Sequence, residues 1–414
     1  MTTTLAASRI DPAAPAVDTP NIADFIRAVF AGQNGFELIQ AQLNRLHVDP
    51  ASASAYITLG TLYQLIGRRD EAMACQDAAF MISPLYSQPP PGNAGEASLT
   101  LLVFVARGDL MTNTPIELLL DGRPVRILRL YVDPDLPLPQ TVPEHDVAMV
   151  AISEADETRP LLERLKGLQS KWPRPLINPA EAILDLSRDR LWSKLEGTPG
   201  LLLPPTVRAS RAAVEGVAIG SSLGKILPDG QFPLVVRPVG SHAGKGLERI
   251  DDAAALGVYV QGSPAEAFYL SRFIDYASAD GRFRKYRIAL FAGRPCLAHM
   301  AVGDHWMVHY LNAGMAEDAD KRAEEAAAMA GFDQGFAGRH APTLSEIHRR
   351  LGLDYHALDC AETADGQLLV FEADVGMIVH ALDPVELYPY KAPHMATVFA
   401  AFEAMLRQKA LQPA

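Results

Sequence analysis

A chain of 414 residues, 49% hydrophobic and 21% charged, is long enough for two or three domains and has the composition of an ordinary globular protein. Its 37 basic against 49 acidic residues leave a formal charge of −12, which argues against a nucleic-acid-binding body while allowing a local phosphate pocket. Cys75, Cys296 and Cys360 are scattered and odd in number, which excludes a disulfide framework and a Cys-x-x-Cys metal pair. No apolar run approaches a membrane span, and the first twenty residues lack the basic start and apolar core of a signal peptide, so a cytoplasmic protein is expected.

Residues 1–20, dominated by Thr, Ala and Pro, read as a disordered tail. From 21 to 86 the apolar spacing is helical, as in Phe25, Val29, Phe30 and Phe36, Ile39. Tyr56, Leu59, Gly60, Tyr63, Gly67, Ala72, Ala79 and Pro84 fall at the preferred offsets of one tetratricopeptide repeat, which the second half of this region resembles. One or two such units cannot close a solenoid core, so the helices should dock on the rest of the chain or on a partner. Residues 87–96, with three consecutive prolines, read as a linker.

Strands over 99–106, 125–132, 146–152 and 175–178 then alternate with helices over 115–120 and 159–171, which predicts a small parallel α/β domain over 97–178. No Gly-x-Gly-x-x-Gly follows its first strand, so dinucleotide binding is unsupported. The remainder, 179–414, is expected to form one domain. It holds a helix, mixed strands with Gly-rich punctuation, helices over about 317–331 and 343–351, a hairpin, and a final helix over about 393–408.

Three patterns in this last part carry chemistry. Pro233 to Gly246 is an apolar strand ending in Arg237, followed by a loop in which Gly240, Gly244 and Gly246 let backbone N–H groups approach a phosphate while Ser241 and Lys245 add donors. The spacing is not that of a Walker A loop, and a purely structural turn is the competing reading. In Lys285-Tyr286-Arg287 the strand alternation points Lys285 and Arg287 to one face and Tyr286 to the other. The third pattern is the hairpin from Ala357 to Asp374, with Asp365-Gly366 as a two-residue turn. That turn sets Asp359 opposite Glu372, with Asp374 on the same face beside Ala357, Ala361 and Val370. Like charges opposed on a sheet are destabilising. Three carboxylates there suit a hard cation such as Mg2+ shared with a phosphate, unless the hairpin is an exposed acidic one in another register.

In order, these pieces resemble an ATP-grasp ligase from about residue 178 to the end, closest to the ribosomal-protein glutamate ligases and glutathione synthetases, with 97–178 resembling the small α/β domain that precedes that fold. The matching segments are SRDR (187–190), PPT (204–206), PLVVRPVGSHAGKG (233–246), YLSRFID (269–275), YRI (286–288), HYLNAG (309–314), LGLDYHALD (351–359) and FEAD (371–374). The resemblance implies nucleotide contacts by Arg190 and Arg237, a loop over the triphosphate at Gly240, Ser241, Gly244, Lys245 and Gly246, and adenine beside Phe273 and Ile274. It further implies an acyl-phosphate contact by Arg287 and Mg2+ ligation by Asp359, Glu372 and Asp374. Arg190 and Arg237 stand where the family has lysines, Asp374 where it has Asn, and Tyr310 where close relatives have Arg. The ribose-binding acid has no clear counterpart, Asp275 being nearest. His309, Asn312 and His380 are candidates for the substrate wall. A Mg2+- and ATP-dependent carboxylate–amine ligase follows as the expectation, with the helical region suited to recruiting a peptide or protein. The alternatives are a nucleotide-binding adaptor without turnover and an ATP-dependent phosphotransferase.

Overall fold

The computed structural model describes residues 15–91, 96–139, 142–228, 230–241 and 244–413. The chain divides into two compact units, one made of residues 1–184, 353–356 and 375–414 and the other of 185–352 and 357–374.

The first unit opens with β1 (Val17–Asp18) and four helices, α1 (Ile22–Phe30), α2 (Gly35–Val48), α3 (Ala53–Leu65) and α4 (Arg69–Ile82). Asn21 and Asn34 cap α1 and α2 by accepting from the backbone N–H two residues on. The chain continues through β2 (Leu85–Gln88), β3 (Leu99–Val105), α5 (Ile116–Leu119), β4 (Val125–Tyr131), β5 (Val147–Val150), α6 (Arg159–Leu165), β6 (Leu176–Ile177) and α7 (Ala180–Ile183). Strand order is β1-β2-β4-β3-β5-β6. The pairs β3–β4, β3–β5 and β5–β6 are parallel, as the unbroken apolar runs predict: every residue of β3 but Thr100 is buried. At the end of β6, Asn178 takes a left-handed conformation, φ 55°, and its buried amide donates to the Tyr355 carbonyl at 2.8 Å while accepting from the Tyr355 N–H at 2.9 Å.

Three of the expected bounds shift in the described residues. Within the predicted 1–20 tail, Val17 and Asp18 pair in parallel with Tyr86 and Ser87; residues 1–14 lie outside the described set. Within the predicted 87–96 linker, Ser87 and Gln88 are buried members of β2, which adds antiparallel to β4; residues 92–95 lie outside the described set. Polar side chains hid this strand. Gln88 Oε1 accepts from the Arg129 guanidinium at 2.7 Å inside the sheet, while its buried Nε2 has no hydrogen-bond partner among the described residues. The single 179–414 domain also divides differently, because 375–414, with its C-terminal helix (Lys391–Ala410), belongs to the first unit.

The helical region docks on its own unit. The Gly108 carbonyl, in the loop after β3, accepts from the side-chain amides of Gln64 on α3 and Gln76 on α4, each at 2.7 Å, and the Gly108 N–H donates to Gln76 at 2.9 Å.

The second unit contains α8 (Arg188–Leu195), β7 (Leu201–Leu202), β8 (Thr206–Ser210), α9 (Arg211–Ala218), β9 (Leu234–Pro238), β10 (Glu248–Ile250), α10 (Ala253–Gly262), β11 (Ala267–Arg272), β12 (Phe283–Phe291), β13 (Arg294–Gly303), α11 (Ala319–Ala330), α12 (Phe336–Leu351), all of β14 (Tyr355–Glu362) but its first two residues, and β15 (Leu368–Asp374). One sheet, β10-β9-β11-β8, buries Leu234, Val236, Phe268 and Leu270 against Val214 and Val217 of α9 and Leu256 and Val260 of α10. The other runs β13-β12-β14-β15-β7. Helix α12 begins seven residues before the expected Thr343 and carries Pro342 inside it, at the loss of one backbone hydrogen bond.

Replacing Gln76 by Ala removes two of the three hydrogen bonds on Gly108. The expected loss is about 1–3 kcal/mol, read as a lower urea midpoint at unchanged slope. An unchanged midpoint would mean that the helices are held by apolar packing alone.

Candidate active site

The hairpin delivers Asp359 opposite Glu372, through two departures from the simple turn that cancel. The loop is longer than two residues: Thr363 N–H donates to Gln367 O at 3.0 Å, Gly366 N–H donates to Thr363 O at 2.9 Å, and Gly366 sits at φ 80°. Three residues, 364–366, make the turn, and Glu362 therefore faces Leu368. A β-bulge then restores the lost residue. Cys360 faces Val370 while Asp359 faces Glu372, so Phe371 is the extra residue. Ala357 faces Asp374 as expected. Val370 is displaced to the Cys360 side, and Leu369 and Phe371 take the Asp359 side, where they pack with Tyr276 and Ala361.

Cations gather on these acids. Asp359 is 1% exposed. Arg287 Nε donates to its Oδ1 at 2.8 Å and Arg287 Nη2 to its Oδ2 at 3.1 Å, while Lys285 Nζ lies 2.7 Å from Oδ2. Lys285 and Arg287 thus share a face, and Tyr286 turns the other way, its ring 4.2 Å from that of Phe336. Glu372 is ion-paired with Arg188, the first residue of α8, whose guanidinium lies 5.9 Å from the Tyr269 ring centre. Burial pushes the Asp359 carboxyl up, but Arg287 and Lys285 outweigh it and hold the group well below its ordinary range. For Glu372, burial and Asp359 raise the pKa, while Arg188, Lys285 and Arg237 bring the net shift down. Burial, with help from Arg188, lowers the Arg237 guanidinium to about 10 against the pull of Glu372.

Among the described residues no three His, Cys, Asp or Glu side chains are grouped as a metal-holding set. The donors on the hairpin are oxygens of the kind a hard cation takes, yet Asp359 and Glu372 are already matched by cations. Four cationic side chains (Arg188, Arg237, Lys285, Arg287) answer three acidic ones (Asp359, Glu372, Asp374). Such a face suits a divalent cation that comes with a polyanion rather than alone.

The phosphate-loop residues are arranged as a turn on β9. Arg237 Nε donates to Ser241 Oγ at 3.1 Å and its guanidinium also reaches the Ser241 carbonyl. Gly240, Gly244 and Gly246 all have φ near 70°, and Lys245 is exposed. A Cβ on Gly246 would come within 2.9 Å of Pro238 Cδ, so this glycine is required by both angle and space. His242 and Ala243 lie outside the described residues. Phe273 is placed by its N–H, which donates to Pro233 O at 3.0 Å, with the Trp306 ring 5.5 Å away and the Arg249 guanidinium 4.6 Å away. Ile274 packs against the Tyr276 and Ala361 cluster, and Asp275 is exposed.

The structure does not bring every expected residue to the acids. Arg190 is exposed and lines a shallow recess with Asp185, Asp189, Trp192, Lys194, Thr206 and Arg208. Arg188 is the guanidinium at Glu372. Residues two apart on a helix point about 200° apart, so only one of the pair can face the sheet, and that geometry is the signal that could have found Arg188. Lys285 was legible as sharing the Arg287 face but not as a partner of Asp359. His309 and Asn312 cap each other's turn: Asn312 Oδ1 accepts from His309 N–H at 2.9 Å and His309 Nδ1 from Leu311 N–H at 3.4 Å. Burial, then Lys285 and Arg287, depress the His309 pKa, so its imidazole sits in the field of the cluster. Tyr310 donates its hydroxyl hydrogen to Glu325 at 3.1 Å. His380 belongs to the first unit, where Nδ1 accepts from Leu382 N–H at 3.0 Å.

No family model and no curated protein matches the sequence. Among solved structures the chain is similar to a RimK domain protein ATP-grasp from Sphaerobacter thermophilus, at 16% identity and a TM-score of 0.41, over 76% of this chain and 100% of that one. It is also similar to the VanG D-Ala:D-Ser ligase from Enterococcus faecalis, at 11% identity and a TM-score of 0.43, over 76% and 100%. Likenesses at this level assign neither activity nor substrate.

Both carboxyls have folded pKa values below the ordinary 3.8 and 4.5, so the unfolded chain takes up their protons first as pH falls. Their contribution to stability is therefore full at neutral pH and is lost progressively below about pH 5. Asp359→Asn, which strands Arg287 and Lys285 beside a neutral amide, is expected to cost about 3–5 kcal/mol at neutral pH. The difference from wild type should narrow on acidification, in urea unfolding at neutral pH and again near pH 3.5 (about 0.3 below the reference aspartate value). A pH-independent difference would mean that packing, not charge, is lost.

Proposed function

We propose that the chain is a Mg2+- and ATP-dependent carboxylate–amine ligase of the ATP-grasp type. The observation that carries this reading is the opposed acid pair Asp359 and Glu372, set on one sheet face among Arg188, Arg237, Lys285 and Arg287. Opposed carboxylates are unfavourable in a ladder, and a cation-rich surround is what a transferring phosphoryl group requires. The glycine loop after β9 supports it, since Gly246 leaves no room for a side chain and glycines let a backbone come close to a phosphate.

In this reading a carboxylate oxygen of the acid substrate attacks the γ-phosphorus of ATP, the bond to ADP breaks, and an acyl phosphate results. An amine then attacks the acyl carbon, losing a proton, and inorganic phosphate leaves as the amide forms. Arg237, Ser241 and the loop glycines bind the triphosphate, Lys245 closes from its exposed position, and Phe273 and Ile274 flank the base. Arg287, held in orientation by Asp359, steadies the charge on the acyl phosphate. Asp359, Glu372 and Asp374 are the residues that would hold Mg2+, which supplies charge neutralisation of the phosphates. The resemblance gives Arg190 a nucleotide contact, and Arg188 is the nearer guanidinium to the acid pair; nucleotide affinity of the two single Ala variants separates them. His309 and Asn312, in the second unit, remain proposals for substrate contact, as does His380 in the first. Exposed Phe30, Phe36 and Val48 on α1 and α2 would serve a peptide or protein substrate.

An adaptor without turnover is the reading favoured by one feature, the full pairing of Asp359 and Glu372 with protein cations. ADP release across a panel of acids and amines decides between the two, and a stable phosphate ester as product would mean phosphotransfer.

The direct test is thermal shift with a non-hydrolysable ATP analogue. Mg2+ with the analogue should stabilise wild type by about 2.7 kcal/mol at a hundredfold excess over Kd, and Mg2+ alone should shift nothing. The Glu372→Ala, Asp374→Ala double variant should lose the Mg2+-dependent part. No shift in folded wild type would sink the ligase reading.

A further inference from the structure

Asp359 has one more cation than it needs. The Arg287 fork alone satisfies both carboxylate oxygens, at 2.8 and 3.1 Å, and neutralises the charge. Lys285 Nζ shares Oδ2 at 2.7 Å, although both its own side chain and that of Asp359 are largely buried, at 19% and 2% exposure. A surplus positive charge in such a place opposes stability unless something negative comes to meet it. The opposite acid, Glu372, is ion-paired with Arg188 and reaches Lys285 only through its field, without a bond.

The two cations on Asp359 differ in how readily they can leave. Arg287 is held by two bonds in a rigid fork. Lys285 has one contact to a shared oxygen and the Phe371 ring 5.8 Å from Nζ, on a flexible stem that can swing a point charge elsewhere. A divalent cation at Asp359 would compete with Lys285 directly, since both seek the same oxygen.

We propose that Lys285 is a switching counter-cation. In the free chain its ammonium occupies Asp359 and keeps a lone divalent cation out; with nucleotide bound it turns to a phosphoryl oxygen and leaves the carboxylate to the metal. Lys285 is then a nucleotide-contacting residue that also makes metal binding depend on nucleotide. This rests on the ligase reading.

The experiment is calorimetric titration of wild type and Lys285→Met, first with Mg2+ alone and then with the ATP analogue in the presence of chelator. Wild type is expected to take up the analogue but no Mg2+ by itself. Lys285→Met is expected to bind the metal-free analogue about tenfold or more weakly, equivalent to about 1.4 kcal/mol, and to gain Mg2+ binding in its absence. Lys285→Arg, which keeps the charge, should still exclude Mg2+ alone. If Lys285→Met fails to fold, Lys285→Gln takes its place. Either readout unchanged in a folded neutral variant overturns the switch and leaves Lys285 as a structural tie between β12 and β14. Wild type that binds no nucleotide takes down the ligase reading instead.

Discussion

Two carboxylates face each other across one rung of a β-ladder, and the chemistry of the second unit is organised around the cost of that pairing. A sheet would ordinarily avoid it. Here the cost is met by cations drawn from three other elements: Lys285 and Arg287 from the neighbouring strand, Arg188 from the start of α8, and the field of Arg237 from the other sheet. The bulge at Phe371 is what makes the rung possible, since without it the three-residue turn would place Phe371 opposite Asp359. A single extra residue thus decides whether an acid or a phenyl ring meets Asp359.

The rest of the unit keeps those groups in place. Arg237 follows Val236 on β9, whose Leu234 and Val236 are anchored in the core beneath α9 and α10, and folds back on Ser241. Tyr286, between the two site cations, packs against Phe336 on α12 and so sets which way Lys285 and Arg287 point. Apolar residues of β12 to β15 therefore determine the direction of the charges that alternate with them.

In the first unit the helical region has a physical reason to dock where it does. A short helical array cannot bury its own core. Gln64 and Gln76 reach the Gly108 backbone, and β2, directly after α4, enters the sheet as its continuation. The polyproline stretch follows this strand rather than separating two bodies. Three consecutive prolines suggested a linker that began at Ser87, whereas in the sheet Ser87 Oγ accepts from Arg126 and Gln88 Oε1 from Arg129.

The sequence by itself determined the alternation of strands and helices, the face shared by Lys285 and Arg287, and the rung joining Asp359 to Glu372, because these depend on periodicity and on local turn chemistry. It determined the last of these through a miscount of the turn and a missed bulge that offset each other. Periodicity carries no information on which of Arg188 and Arg190 looks inward, which cations settle on which carboxylate, or whether polar Ser87 and Gln88 lie in a sheet. Those outcomes rest on contacts between residues up to 184 positions apart along the chain, as in Arg188 with Glu372. Only the packed structure chooses them, since there the cost of a buried charge is settled by whichever opposite charge the fold brings within reach.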